Sequence, residues 1–205
     1  MNPVRLLIVD DHAIVRTGLV ALLESDGTIE VVGEAGDGRA AVRLAGRLHP
    51  DVVLMDIMMP EMDGIAATRE IKARLPDTKV LILTTSTLSD DLAAALDAGA
   101  DGAVTKATTN KTLLATVKRV AAGEQVIAPE ISRIIANDPP VKALTERQRC
   151  ILKALTEGKT NKEIAEALDI HVDGVRQHLI VIFKKLGAVN RAEAASIALR
   201  KQLLK

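Results

Sequence analysis

Four short apolar runs in the first half of the chain each lead directly to polar side chains. The first run ends at Asp10 and Asp11, the second at Asp56 and the third at Thr84, while Lys106 follows the fourth. In an open α/β sheet the carboxyl ends of the strands line one crevice, and ligands bind there. We therefore expect three carboxylates, a hydroxyl and an ammonium to meet in one pocket. Such a set suits the binding of a divalent cation and the transfer of a phosphoryl group to a carboxylate.

Apolar runs alternate with helical patterns as far as residue 122. The predicted strands span residues 6–9, 31–32, 52–55, 80–83 and 103–105, and the predicted helices span residues 13–23, 40–48, 65–75, 91–98 and 113–122. The runs are continuous rather than alternating, which is typical of parallel strands buried on both faces. Because crossovers between parallel strands are right-handed, the sequence predicts an α/β doubly wound, five-stranded parallel sheet over residues 1–122.

The second half of the chain has a different pattern. Residues 123–142 contain Pro129 and the pair Pro139 and Pro140, and proline cannot lie inside a helix, so we expect a linker here with a short helix at 130–136. Helical patterns then cover 146–155, 161–168, 172–186 and 192–204. Three residues separate the second helix from the third, which is helix-turn-helix spacing. The sequence predicts a small all-α, four-helix domain over residues 143–205.

Composition narrows the possible partners. Phe183 is the only aromatic residue, which argues against single-strand nucleic-acid binders that stack bases on aromatic side chains. Residues 1–122 carry 13 Lys or Arg against 17 Asp or Glu, whereas residues 123–205 carry 14 against 10. This asymmetry indicates a cation site in the first part and a polyanion partner for the second, although a difference of this size also arises by chance.

Nothing in the sequence predicts secretion or a membrane span. Cys150 is the only cysteine, so no disulfide within the chain is possible. The apolar run at residues 4–9 is too short for a signal peptide, and no stretch approaches the roughly 20 apolar residues of a transmembrane helix. A cytoplasmic location and no membrane partner are the expectation.

The strand-end residues lie within four short motifs that occur in a fixed order. These motifs are LIVDDH at 7–12, DIMMPEMDG at 56–64, LTTS at 83–86 and VTK at 104–106. Together they resemble the receiver domain of bacterial two-component response regulators, whose fold is flavodoxin-like. Each polar residue also has a simpler explanation, as a strand-end cap, as an acceptor for a loop amide or as a surface charge. The occurrence of all of them in this order favours the receiver.

The resemblance implies a role for each residue. Asp56 would be phosphorylated, and the phosphodonor would be a phosphohistidine on a sensor histidine kinase. Mg²⁺ would be bound directly by Asp11 and Asp56, by Asp10 through a water molecule, and by the backbone carbonyl of Met58. Thr84 and Lys106 would bind the phosphoryl group. Ala103 stands where many receivers carry an aromatic residue that moves with this threonine. Signal transmission is therefore expected to depend on Thr84 and on movement of the fourth helix and fifth strand.

The second domain carries a resemblance of its own. The motifs LTERQ at 144–148, NKEIA at 161–165, VRQHL at 175–179, KLG at 185–187 and NR at 190–191 resemble the LuxR/NarL-type helix-turn-helix. With the receiver, nearly the whole chain is similar to a response regulator of the NarL subfamily. The fourth helix of this family often dimerises, and Ala194, Ala195, Ala198 and Leu199 offer a small-residue face for that contact.

The third helix of this domain has two distinct faces. Its apolar face is formed by Val175, Leu179, Ile182 and Leu186. A recognition helix would present the opposite face to the major groove of double-stranded DNA. There Arg176 would reach a guanine edge or a phosphate, Gln177 an adenine, and Ile180 a thymine methyl. Phosphate contacts are expected from Asn161, Lys162, Lys184 and Lys185.

This domain departs from the family pattern at several positions. Gly174 replaces the usual threonine, which costs about 1 kcal/mol of helix propensity. Ile180 and Val181 replace polar residues on the presumed DNA face. The alternative is that these two residues pack against the receiver or a second subunit, and that the helical domain binds protein rather than DNA.

The sequence therefore predicts a cytoplasmic, phosphorylation-controlled transcription regulator that binds DNA as a homodimer and is not an enzyme. A phosphohydrolase with Asp56 as its nucleophile is a rival hypothesis. Such enzymes often carry a second carboxylate two residues after the nucleophile, and Met58 occupies that position here.

Overall fold

The computed structural model describes residues 2–25, 27–141 and 143–204. The chain folds into two compact units that meet in sequence between Pro139 and Pro140. Within the described ranges, no helix is long and apolar enough to cross a membrane.

The first unit is a parallel sheet with helices between its strands. Its strands are β1 (Val4–Val9), β2 (Ile29–Ala35), β3 (Val52–Met55), β4 (Lys79–Thr84), β5 (Gly102–Thr105) and β6 (Val126–Ile127). Its helices are α1 (Ala13–Glu24), α2 (Gly38–Leu48), α3 (Gly64–Arg74), α4 (Ser89–Asp97), α5 (Asn110–Ala121) and α6 (Pro129–Asn137). All neighbouring strands are parallel, and their order is β2-β1-β3-β4-β5-β6. The predicted doubly wound parallel sheet is confirmed.

The central strands owe their position to continuous apolar sequence. Every side chain of β3 is buried, as are Leu6 to Val9 of β1 and Val80 to Thr84 of β4. Helix starts are set by side-chain caps: Asp37, Asp63 and Thr109 accept from the backbone N–H groups of Ala40, Ala66 and Thr112. The continuous apolar runs end at polar residues, so the carboxyl ends of β1, β3 and β4 carry Asp10, Asp56 and Thr84.

A sixth strand extends the sheet beyond the five that the sequence predicts. Strand β6 pairs with β5, and the N–H of Ala128 donates to the carbonyl of Ala103 at 2.9 Å. Helix α6 follows at once, and its Ile131 is fully buried. Much of the stretch predicted as a linker is therefore folded onto the first unit. A two-residue strand has no periodicity, so only its pairing with β5 reveals it.

The second unit consists of four helices around one small core. They are α7 (Glu146–Thr156), α8 (Asn161–Ala167), α9 (Val172–Leu186) and α10 (Arg191–Arg200). Thr145 and Thr160 each form a capping box, with Gln148 and Glu163 respectively as the reciprocal partner. The predicted four-helix architecture is confirmed, although α10 ends at Arg200 rather than Leu204.

We predict that Gly64→Ala destabilises the first unit. A Cβ atom at Gly64 would overlap the carbonyl oxygen of Asp56, and such overpacking typically costs about 1–3 kcal/mol. Urea unfolding followed by circular dichroism measures the change. Gly18→Ala is the matched control: a Cβ at this position in α1 meets open space, so it should stabilise by about 0.5–1 kcal/mol. Equal stability of the two variants would contradict the prediction.

Candidate functional sites

The carboxylates at the ends of β1 and β3 lie close together and are buried. The N–H of Asp10 donates to Ala35 at 3.1 Å, and the N–H of Asp56 donates to Val9 at 2.9 Å. These bonds carry the sheet ladder one residue past the strands. The side chain of Asp10 is 1% exposed and that of Asp56 is 5% exposed. The parallel register thus brings together two acidic residues that are distant in sequence.

The ammonium of Lys106 bridges these two carboxylates. Its Nζ lies 2.5 Å from Oδ2 of Asp10 and 2.5 Å from Oδ2 of Asp56. The Lys106 backbone is held in place by its N–H, which donates to the carbonyl of Thr84 at 2.9 Å. The two buried carboxylates repel each other because both contact the same ammonium and therefore lie close together. The cation between them offsets this unfavourable charge interaction.

The same contacts set the charge state of the lysine. Burial disfavours the ammonium and by itself lowers the pKa of Lys106. Hydrogen bonds to Asp10 and Asp56, together with their negative charges, act in the opposite direction and raise that pKa above its usual value. A raised lysine pKa stabilises the fold below the unfolded-state pKa, and this contribution is lost only as pH rises through the folded-state pKa. The ammonium of Lys106 therefore carries its charge at neutral pH.

Asp11 and His12 form the outer part of the cluster. Oδ1 of Asp11 lies 2.6 Å from Nδ1 of His12. The backbone N–H of His12 also donates to Oδ1 of Asp10 at 2.9 Å. One potential ligand atom from each of Asp10, Asp11 and His12 lies within 4.8 Å of the others. His12 thus contacts both aspartates, Asp10 through its backbone N–H and Asp11 through its ring.

The donor chemistry of the cluster fits Mg²⁺. Asp10, Asp11 and Asp56 supply carboxylate oxygens, which are the hard ligands that Mg²⁺ prefers. In the structure Lys106 engages one oxygen of Asp10 and one of Asp56. A cation at those oxygens would therefore compete with the ammonium for them.

Thr84 and Met58 reach the same edge of the sheet. Thr84 is the last residue of β4 and is fully buried. Its Oγ1 accepts from the N–H of Ser86 at 3.0 Å, so the simpler role as acceptor for a loop amide is present. The hydroxyl hydrogen is still a donor. The backbone N–H of Met58 lies 3.4 Å from Oδ1 of Asp56, which places the Met58 backbone beside the acidic pair.

Sequence reasoning missed two residues that position the cluster. The guanidinium of Arg16, on α1, donates to the carbonyl of Asp10 at 2.7 Å and lies 3.4 Å from Glu34. Gly64 lets the start of α3 approach Asp56, and its N–H donates to Ile57 at 2.9 Å. No pattern distinguishes Arg16 from a surface arginine. Gly64 carried a signal, since it is the last residue of the motif at 56–64 and directly follows the N-cap residue Asp63.

In the second unit, α8 and α9 form a helix-turn-helix. The residues between them are 168–171, one more than predicted, and Asp169 adopts a left-handed backbone conformation with φ 51°. The predicted inner face of α9 is confirmed, because its four apolar residues are all buried (Val175, Leu179, Ile182 and Leu186). The outer face carries exposed Arg176, Gln177, Ile180 and Lys184.

Two of the predicted phosphate contacts have partners within the unit. Lys185 donates to the carbonyl of Ala143 at 2.7 Å and to Oε1 of Gln148 at 2.8 Å. Its ammonium therefore ties α9 to the start of α7 instead of pointing to DNA, which corrects the expectation for this residue. Oδ1 of Asn161 lies 3.4 Å from the guanidinium of Arg191. Lys162 and Lys184 are exposed, as a phosphate contact requires.

The small-residue face predicted on α10 is largely internal. Ala194 and Ala198 are completely buried in the core of the unit, whereas Leu199 is exposed. The prediction that all four residues offer a dimer face was wrong for these two alanines. Small residues allow close helix packing, and here α10 packs against α7 and α9 of its own unit.

Comparisons with known proteins agree with both halves of this description. Residues 6–118 match the family described as the response regulator receiver domain, and residues 142–198 match the bacterial regulatory proteins of the luxR family. The response regulator protein VraR of Staphylococcus aureus is 38% identical over 206 residues, covering 98% of this chain and 99% of VraR.

Solved structures give the same result over the full length. The response regulator ChrA of a heme-sensing two-component system is 37% identical, with a TM-score of 0.60 and complete coverage of both chains. RcsB, solved as two dimers bound to two parallel DNAs, is 27% identical, with a TM-score of 0.69, covering 98% of this chain and 99% of RcsB.

We predict that Lys106→Met destabilises the first unit at neutral pH. Without the ammonium, two buried carboxylates face each other unpaired, at an expected cost of about 1–3 kcal/mol. Urea unfolding of the full chain at low salt measures the loss. Lys111→Met, an exposed position on α5, should leave the stability unchanged. Equal stability of the two variants would show that Lys106 does not offset the repulsion between Asp10 and Asp56.

Proposed function

The chain belongs to the bacterial response regulators that join a receiver domain to a LuxR-type DNA-binding domain, a family of transcription regulators, and we propose that it is switched by phosphorylation of Asp56. The observation that carries this proposal is the Lys106 bridge between the buried carboxylates of Asp10 and Asp56. A cation held at a carboxylate is the arrangement needed to accept a phosphoryl group, whose transfer depends on positioning and charge neutralisation.

The proposed reaction is transfer from a phosphohistidine of a sensor histidine kinase. An oxygen of the Asp56 carboxylate attacks phosphorus while the bond from phosphorus to the histidine nitrogen breaks, and that nitrogen keeps the electron pair. Lys106 then exchanges its contact with Asp56 for a phosphoryl oxygen, and the Thr84 hydroxyl donates to another. Mg²⁺ would be held by Asp11, Asp56 and the backbone carbonyl of Met58, with Asp10 contributing through a water molecule, and it would supply positive charge that offsets the charge of the phosphoryl oxygens.

The structure supports a route from this site to α4 that needs no aromatic switch residue. Thr84 accepts from the N–H of Ser86, and the Ser86 hydroxyl lies 3.1 Å from Asp91 and 3.3 Å from the N–H of Leu88. Any movement of Thr84 toward a phosphoryl group therefore changes the bonds at the start of α4. Ala103 is buried in β5 and carries only a methyl group, so this position has no ring that could rotate.

Helix α4 is in turn joined to α6. The hydroxyl of Ser89 lies 3.3 Å from Oδ2 of Asp138, directly after the last turn of α6. Asp138 is next to the boundary between the two units in sequence. We propose that phosphorylation shifts a two-state arrangement of α4 and α6, and that this shift controls the second unit.

The proposed output is binding to a two-fold-related duplex site as a phosphorylated homodimer in the cytoplasm. RcsB, similar to this chain over its full length, has been solved as dimers on DNA. Arg176, Gln177, Lys184 and Lys162 are the contacts proposed from the exposed surface of α8 and α9. The rival in which this domain binds only protein is less well supported, because α9 exposes basic and amide groups together.

We predict that Asp56→Asn abolishes phosphorylation by acetyl phosphate in the presence of Mg²⁺, because an amide cannot form the acyl phosphate. Intact-mass spectrometry should show one added phosphoryl group on the wild-type chain and none on the Asp56→Asn variant. The control variant Asp97→Asn, at an exposed position on α4, should be phosphorylated to the same extent as the wild-type chain. Stoichiometric labelling of Asp56→Asn would refute the assignment.

Adjacent lysines provide a matched test of DNA binding. Lys184→Ala should weaken duplex binding and reduce the slope of log K against log salt by about 0.9, the value for one lost phosphate contact. Lys185→Ala should leave this slope unchanged and should lower the free energy of unfolding by about 1 kcal/mol, because it removes two hydrogen bonds. Fluorescence anisotropy over a salt series measures the first effect and urea unfolding the second. The opposite assignment of the two effects would contradict the structure.

A further inference from the structure

Two apolar side chains are exposed on the outer face of α9, among polar and basic neighbours. The exposed fraction is 62% for Ile180 and 42% for Val181. The inner face of the same helix already carries a complete set of four buried apolar residues, so these two are not needed for the core. Neither has a covering partner within the described part of the unit.

Helical geometry places Ile180 on the outer face, to one side of its middle. It follows Arg176 by four residues and Gln177 by three, and it precedes Lys184 by four. Residues three and four apart are neighbours on a helix surface, so polar side chains surround Ile180. Val181 lies about 100° from Ile180 around the helix, on the other side of the outer face, and is less exposed.

The size and surroundings of this apolar spot decide which partner fits it. A stable protein interface buries about 800 Å² on each side, far more than two aliphatic side chains supply. A polyanion is favoured by Arg176 and Lys184, which flank the spot on the same face. Within a duplex, the group that matches an aliphatic side chain is the thymine 5-methyl, which projects into the major groove.

We propose that Ile180 is a specificity-determining residue that packs against a thymine methyl in the major groove. This inference rests on the proposed function, since it requires α9 to enter DNA. Ile180 has no side-chain donor or acceptor, so it selects a base only through apolar contact. Arg176 and Gln177 would supply the hydrogen-bonding contacts on either side, and Lys184 would hold the adjacent phosphate.

Arg176 already has a preferred orientation on this face. Its guanidinium donates to Oδ1 of Asp173 at 2.8 Å, one turn earlier on α9. This exposed pair engages one guanidinium nitrogen of Arg176 within α9.

Replacement of thymine by deoxyuridine tests the proposal, because deoxyuridine lacks only the methyl group and keeps every hydrogen-bonding group. The full chain, treated with acetyl phosphate and Mg²⁺, is first used to select a duplex from random DNA. Each thymine of that duplex is then replaced in turn, and affinities are compared at one fixed salt concentration. We expect replacement at one or two positions in each half-site to weaken binding roughly three- to fivefold, the effect of one buried methyl.

Two variants assign this effect to Ile180. Ile180→Asn should bind the thymine and deoxyuridine duplexes equally at those positions, because an amide gains nothing from the methyl. Val189→Asn makes a similar change at an exposed apolar position between α9 and α10 and should keep the discrimination. Circular dichroism confirms that both variants fold, which is expected because both positions are exposed.

Each remaining outcome overturns one defined statement. Salt-dependent duplex binding that is equal for thymine and deoxyuridine at every position would overturn the role of Ile180 and leave the proposed function intact. Discrimination that persists in Ile180→Asn would assign methyl recognition to another residue. Failure of the phosphorylated chain to bind any duplex would overturn the proposed function itself.

Discussion

The contact of one ammonium with two buried carboxylates is the constraint on which the first unit depends. The Nζ atom of Lys106 lies 2.5 Å from Oδ2 of both Asp10 and Asp56. Neither carboxylate is exposed enough to be well solvated by bulk water. A sheet that ends in two such groups needs a cation there. The lysine supplies it in this structure, and Mg²⁺ and a phosphoryl group would redistribute the same contacts. A site held together by charge balance responds to added charge by rearranging.

That rearrangement would reach α4 and α6 through a short series of hydrogen bonds. The N–H of Ser86 donates to the hydroxyl of Thr84, and the N–H of Leu88, at the start of α4, donates to the hydroxyl of Ser86. The hydroxyl of Ser89 in α4 donates to Asp138 directly after α6. The added strand β6 and helix α6 cover the edge of the sheet, so the first unit extends to the residue where the second begins. Under the proposed function these hydrogen bonds would connect the site to α4 and α6, since the alanine at position 103 has no ring to rotate.

In the second unit, α9 has a packed face and an exposed face on opposite sides of the helix. The inner face of α9 fills the core, and its outer face combines Arg176 and Lys184 with exposed Ile180. Polar residues of α9 likewise differ in whether they are exposed or hydrogen-bonded within the unit. Lys184 is exposed, whereas the next lysine, Lys185, holds α9 to the cap of α7. Adjacent lysines differ because successive helical residues point about 100° apart.

The sequence by itself determined the fold class, the positions of most strands and helices, and the residues of the acidic cluster, because continuous apolar runs and the groups that end them are local features. The tertiary structure alone decided which groups touch. It paired Lys106 with two aspartates, placed Arg16 on the Asp10 carbonyl, and added β6 to the sheet. It also buried Ala194 and Ala198 and gave Lys185 an internal partner. Periodicity shows that a residue lies on a face, but what that face meets depends on chain segments far away in sequence.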